Sequence, residues 1–160
     1  MAIAKMSVAE LEKFLHDEFP QAFKGGDITI ESADGETSLL RQRYSDEMLR
    51  PGGTVSGPTL MAMADFAMYV LLLSAIGPVG LAVTTNLNIN FLRKGLPGQD
   101  VLAAARLLKL GKRLAISEAN LLSGSSPDPI ARDRDLFHSN HIGFSEVILH
   151  HICKPLFLLL

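Results

Sequence analysis

The chain has 160 residues and a mass of 17.3 kDa, with 48% hydrophobic and 20% charged residues, which is a globular composition of single-domain size. Fifteen basic and seventeen acidic residues leave a net charge of −2, so no basic excess exists to neutralise a nucleic-acid backbone. The one cysteine, Cys153, excludes an intramolecular disulfide and any Cys-Cys zinc pair, and a reducing cytoplasm is the expected setting. The N-terminal stretch MAIAKMSVAELEK lacks the long apolar run and small-residue cleavage site of a secretory signal. Four of the five histidines, and the cysteine, follow residue 137.

Ser7 and Glu10 have the spacing of a capping box, in which the serine oxygen and the glutamate carboxylate each satisfy a backbone donor at a helix start. Val8, Leu11, Leu15 and Phe19 then recur as one apolar stripe, and Pro20 is a stop. After the turn pair Gly25-Gly26, residues 27–33 and 37–44 read as an antiparallel hairpin closed by Asp34-Gly35.

A loop of small residues from Pro51 to Pro58 leads into Thr59 to Ile76, where Asp65 is the single formal charge. A helix that is apolar all round is buried in a core or a bilayer. About 18 residues are at the short edge of a membrane span, an ionisable group at mid-bilayer is costly, and no Lys or Arg cluster flanks the segment. The expectation is a core helix and no membrane. From Val83 to Leu92, Leu87, Ile89 and Phe91 alternate with Asn86, Asn88 and Asn90, an apolar face against a carboxamide face. Segments 101–110 and 114–123 follow across short turns, so three consecutive antiparallel strands are the economical order, and Asp128 to Arg132 begins a last strand.

These elements predict an α+β fold in which an antiparallel sheet wraps a long central helix over about residues 57–76, with a short N-terminal helix. The same order, with residues 53–65 (GTVSGPTLMAMAD), residues 84–91 (TTNLNINF) and residues 110–115 (LGKRLA), resembles the hotdog-fold acyl-CoA thioesterases of the PaaI-like group over about residues 19–132. The resemblance implies hydrolysis of acyl-CoA thioesters to free acid and coenzyme A, with no cofactor beyond the coenzyme A of the substrate and no metal. It also implies a homo-oligomer, a dimer or a dimer of dimers, with each site at a subunit interface.

Taken alone, Asp65 is either a structural carboxylate satisfied by a backbone donor or by Arg41 or Arg43, or a desolvated base. The resemblance places it where the family carries the carboxylate that attacks the thioester or activates water. Gly57, at the helix start after the N-cap type Ser56, exposes N–H groups that can hold a developing oxyanion. By alignment Thr84 of the partner subunit orients water or substrate, with Thr85 as the neighbouring alternative. Arg93, Lys94, Lys112 and Arg113 sit in or beside turns where they could reach the phosphates of coenzyme A. Two residues depart from the family. Arg50 stands where asparagine is frequent, and Ser56 stands where histidine opens the helix; both are counted among the substrate-binding residues, so substrate or rate is expected to differ and a non-catalytic module binding acyl-CoA or another acyl ligand is the alternative.

After Arg132 the sequence loses the resemblance. Residues 1–132 are therefore expected to form a single hotdog domain, and 133–160 an atypical tail that arose by a shifted frame or a replacement. Its His138, His141, His150 and His151 lack an acidic or cysteine framework for a metal. Residues 147–160 are too few and too polar to span a bilayer.

Overall fold

The structure is a computed structural model that describes residues 4–23 and 28–139, with the side chains of 135, 136, 138 and 139 excepted. Helix α1, Val8–Glu18, starts as its capping box requires: Ser7 N–H donates to the Glu10 carboxylate at 2.8 Å, and the Ser7 hydroxyl accepts from Glu10 N–H at 3.4 Å. The Ser7 N–H, joined by the Ser7 hydroxyl donating at 2.7 Å, holds the Glu10 carboxyl below its ordinary pKa. Leu11 and Leu15 are fully buried, and a short 3-10 turn, Pro20–Phe23, follows. There Phe23 stacks on His16 and meets the edge of Phe66 from the central helix at 5.8 Å between ring centres.

Strands β1 (Ile28–Ala33) and β2 (Thr37–Gln42) form the expected hairpin. Asp34 shapes its turn by accepting from the N–H groups of Thr37 and Glu36, and Gly35 takes φ +87°, a conformation open to glycine. A second, two-residue hairpin, β3 (Leu49–Arg50) and β4 (Thr54–Val55), lies inside what the sequence reads as loop; Gly52 and Gly53, both at positive φ, turn it. Helix α2 then spans Gly57–Ile76.

The remaining strands are β5 (Ala82–Phe91), β6 (Val101–Leu110), β7 (Leu114–Ser123) and β8 (Ala131–Ser139). The six-stranded antiparallel sheet runs β1-β2-β6-β7-β8-β5. One expectation is corrected here. The chain does not lay β5 beside β6: β5 crosses to the far edge and, among the described residues, pairs only with β8. The last strand, expected to begin over Asp128 to Arg132, spans Ala131–Ser139 between β7 and β5, so the sheet extends seven residues into the segment expected to be an atypical tail. Residues 140–160, with the remaining tail histidines and Cys153, lie outside the described residues, as do Gly25, Gly26 and Asp27.

Helix α2 packs against all six strands, and its apolar length is accounted for by that burial: Met63, Ala64, Ala67, Met68, Val70, Leu71 and Leu73 are at most 1% exposed. The facing positions of β6 and β7 are small, Ala103, Ala105, Ala115 and Ala119, so the sheet can approach a helix bearing large side chains. Ser38 Oγ donates to the Ala67 carbonyl at 2.9 Å, and Ser74 Oγ accepts from Gly35 N–H at 3.1 Å. The first hairpin is thereby tied to the middle and the end of α2.

Candidate active site

The entrance of α2 is built by side-chain capping. Ser56 is extended, its Oγ accepts from Thr59 N–H at 3.3 Å and lies 2.8 Å from Thr59 Oγ1, and its own N–H donates to the Met48 carbonyl at 2.8 Å. The hydroxyl assigned to substrate is thus engaged at the cap. Gly57 is the first helical residue, and its N–H has no intrahelical acceptor within reach. A Cβ at this position would lie 3.2 Å from Cζ of Phe91, so glycine here also provides a seat for that ring.

Beside this entrance is an open pocket of about 310 Å³ lined by Arg50, Val55, Leu60, Phe91, Arg93 and Lys94 among others. Three of the residues expected to bind substrate therefore converge: Arg50 from the short hairpin, and Arg93 and Lys94 from the segment after β5. Arg93 is held by the Pro129 carbonyl at 3.1 Å and by Asp128 at 3.6 Å. The segment is pinned against β4 by Val55 N–H donating to the Gly95 carbonyl at 3.0 Å, and a Cβ at Gly95 would come within 2.9 Å of Val55 Cβ. Lys112 and Arg113 are not part of this cluster. They turn the β6–β7 hairpin at the opposite end of the sheet, roughly a ten-residue strand or 30 Å away.

Asp65 is eight residues beyond Gly57, about 12 Å along the helix axis. It is partly buried, and Thr84 Oγ1 of the same chain donates to its Oδ1 at 2.5 Å. Loss of hydration pushes the Asp65 carboxyl above its ordinary pKa, and the Thr84 hydrogen bond opposes that rise without cancelling it. The cations weighed as structural partners are elsewhere: Arg41 pairs with Glu31 at 2.5 Å and Asp100 at 3.3 Å. A register shift in the β5–β8 pairing between Thr84 and Asn86 separates the two candidate threonines, turning Thr84 toward α2 and leaving Thr85 exposed. The resemblance assigns Thr84 to the partner's site; here it contacts Asp65 of its own chain, so these two residues form one unit on one subunit.

Sequence reading missed Phe91 and Gly95 as site residues. Phe91 continues the apolar face of β5, which signals core, yet it is 52% exposed at the pocket. No motif marks Gly95, because its small size matters only against Val55 and Ile130.

A sheet curled around one long apolar helix defines the hotdog class of proteins. Residues 52–129 match the family model described as the thioesterase superfamily. The chain is 28% identical to human acyl-coenzyme A thioesterase 13 over 74% of its length and 81% of that protein. Among solved structures, one from Silicibacter sp. TM1040, described provisionally as a thioesterase, superposes with a TM-score of 0.79 at 37% identity, covering 87% of this chain and 95% of that one. The E. coli PaaI protein gives 0.68 at 22% identity, covering 81% and 95%. A Streptococcus mutans protein bound to acetyl-CoA gives 0.66 at 17% identity, covering 71% and 89%. The chain belongs to the hotdog-fold thioesterase superfamily.

Proposed function

We propose that this thioesterase hydrolyses acyl-CoA esters to the free acid and coenzyme A in sites shared between two subunits. The observation that carries the reading is the Thr84–Asp65 hydrogen bond on the buried helix. Thr84 holds one carboxylate oxygen and leaves the other to take a proton from water as that water attacks the thioester carbonyl carbon. The oxygen of the tetrahedral intermediate is held by Gly57 N–H at the positive end of α2. Collapse breaks the carbon–sulfur bond, and the thiolate leaves without needing a strong acid, then takes up a proton. The acid carries the water oxygen, and no cofactor or metal is required.

Two subunits are invoked because one is insufficient. Gly57 and Asp65 are about 12 Å apart along a rigid helix, too far to act on one carbonyl. Strand β5 is a ten-residue sheet edge, a ready template for another strand. Antiparallel pairing of two copies about the middle of β5 would bring the Thr84 end of one to the Phe91 end of the other, so the partner subunit's Asp65 would approach Gly57. The same pairing would swing the partner subunit's Lys112–Arg113 hairpin toward the pocket of Arg50, Arg93 and Lys94. These cations suit the phosphates of coenzyme A, and the acetyl-CoA held by the Streptococcus mutans neighbour supports that ligand class. Pairing of dimers into tetramers and a cytoplasmic location complete the reading, the latter supported by the single cysteine.

The test is a panel of acyl-CoA esters assayed for thiol release with the wild type and Asp65→Asn. Turnover by the wild type and its loss in the variant are expected. Silence of the wild type across the panel, with stabilisation by the same esters, would instead establish the non-catalytic module, which Arg50 in the family's asparagine position favours.

A further inference from the structure

Phe91 is the most exposed large apolar side chain among the described residues, at 52%, and it ends β5 beside the entrance of α2. Its ring does not simply project into solvent. Cζ is 3.2 Å, and both Cε atoms 3.7 Å, from the position a Cβ on Gly57 would occupy. The same ring lines the pocket with Leu60 and the three cations Arg50, Arg93 and Lys94. The ring thus touches the first residue of the helix and lines the pocket that holds the positive groups, where solvent exposure of an aromatic ring has no stabilising role of its own.

We propose that Phe91 is a specificity-determining residue that positions the thiol-side arm of the substrate. The apolar part of that arm, between the sulfur and the first phosphate of coenzyme A, lies on the ring. This assignment rests on the coenzyme A reading of the pocket given above. The groups gathered here are those the ligand would meet: a helix N–H beside the ring for the thioester, the ring for the apolar arm, and cations for phosphates. A plain acyl chain could use the ring but would make no use of Arg50 and Lys94. The glycine at 57 belongs to the same arrangement, since a side chain there would displace the ring from its seat.

The experiment presents one acyl group in two forms, as the coenzyme A ester and as the N-acetylcysteamine ester, which keeps the sulfur but lacks the phosphates and most of the arm. Phe91→Ala is expected to lower the ratio of kcat/KM for the full over the truncated ester by about tenfold, through KM, the size expected when one ring's apolar contact is lost. Phe91→Leu should fall between the alanine variant and wild type, and its melting temperature reports whether the strand end is intact. An equal loss on both esters, or an unchanged ratio, would overturn the proposal. Should the wild type hydrolyse neither ester, the catalytic reading fails, and calorimetric titration with coenzyme A decides Phe91 separately: about tenfold weaker binding by Phe91→Ala sustains its role, and equal binding refutes it.

Discussion

The two stretches of α2 to which chemistry is proposed, around Gly57 and around Asp65, differ in nearly every physical respect. At its start the helix is open: the Gly57 N–H lacks an intrahelical acceptor, and a half-exposed ring and three cations line a pocket beside it. Two turns further on, a carboxylate sits partly buried against the sheet and is held by one hydroxyl. The first region suits an anion that arrives with the substrate, whereas the second keeps an anion of the protein's own poorly hydrated and therefore basic. In the proposed mechanism, separating them along one helix keeps the carboxylate from repelling the oxyanion within a subunit.

Four changes would break or sharpen this contrast. Asp65→Asn removes the base and is expected to lower kcat by roughly 10²–10⁴-fold. The same variant should be more stable than wild type at neutral pH. Because the folded-state pKa of Asp65 is raised, its contribution to stability is fully present below the unfolded pKa and is lost as pH rises through the folded one. The difference in melting temperature between variant and wild type should accordingly shrink on acidification, and a gap independent of pH would contradict the desolvated-carboxylate account. Thr84→Val keeps a β-branched shape but deletes the hydroxyl that lowers the Asp65 pKa. The acid limb of its pH–rate profile should move to higher pH, with kcat reduced by about tenfold from loss of one orienting hydrogen bond. Gly95→Ala addresses the open region: a methyl 2.9 Å from Val55 Cβ is overpacked, and urea unfolding should register about 1–3 kcal/mol of lost stability. Ser7→Ala, remote from both regions, should cost about 1 kcal/mol through the lost cap and leave kcat/KM as it was.

Local patterns made much of the fold legible before any coordinates. The capping box, the Asp34-Gly35 turn, the apolar run of α2 and the strict alternation of β5 each depend on neighbours within a few residues. Pairing order was not legible, because β5 is followed at once by β6 yet pairs with a strand forty residues away. The extent of β8 was also hidden. Its sequence Arg132-Asp133-Arg134-Asp135 alternates charge instead of polarity, and Asp133 occupies an inward, 1% exposed position where an apolar residue would have announced the strand. At the site, Asp65, Gly57 and Arg50 were marked by contrast with their surroundings. Phe91 was camouflaged as one more core-facing residue.

The placement of β8 has a consequence for how this protein comes into being. Among the described residues, strand β5, which carries Thr84 and Phe91, has no sheet partner until β8 is made, whereas β1, β2, β6 and β7 can already pair in sequence. Emerging from the ribosome, the chain therefore carries a finished half-sheet and an orphan strand until residue 139 is clear of the exit tunnel. Synthesis cut short at 132 would yield a protein with its central helix in place and the strand that carries Thr84 and Phe91 adrift.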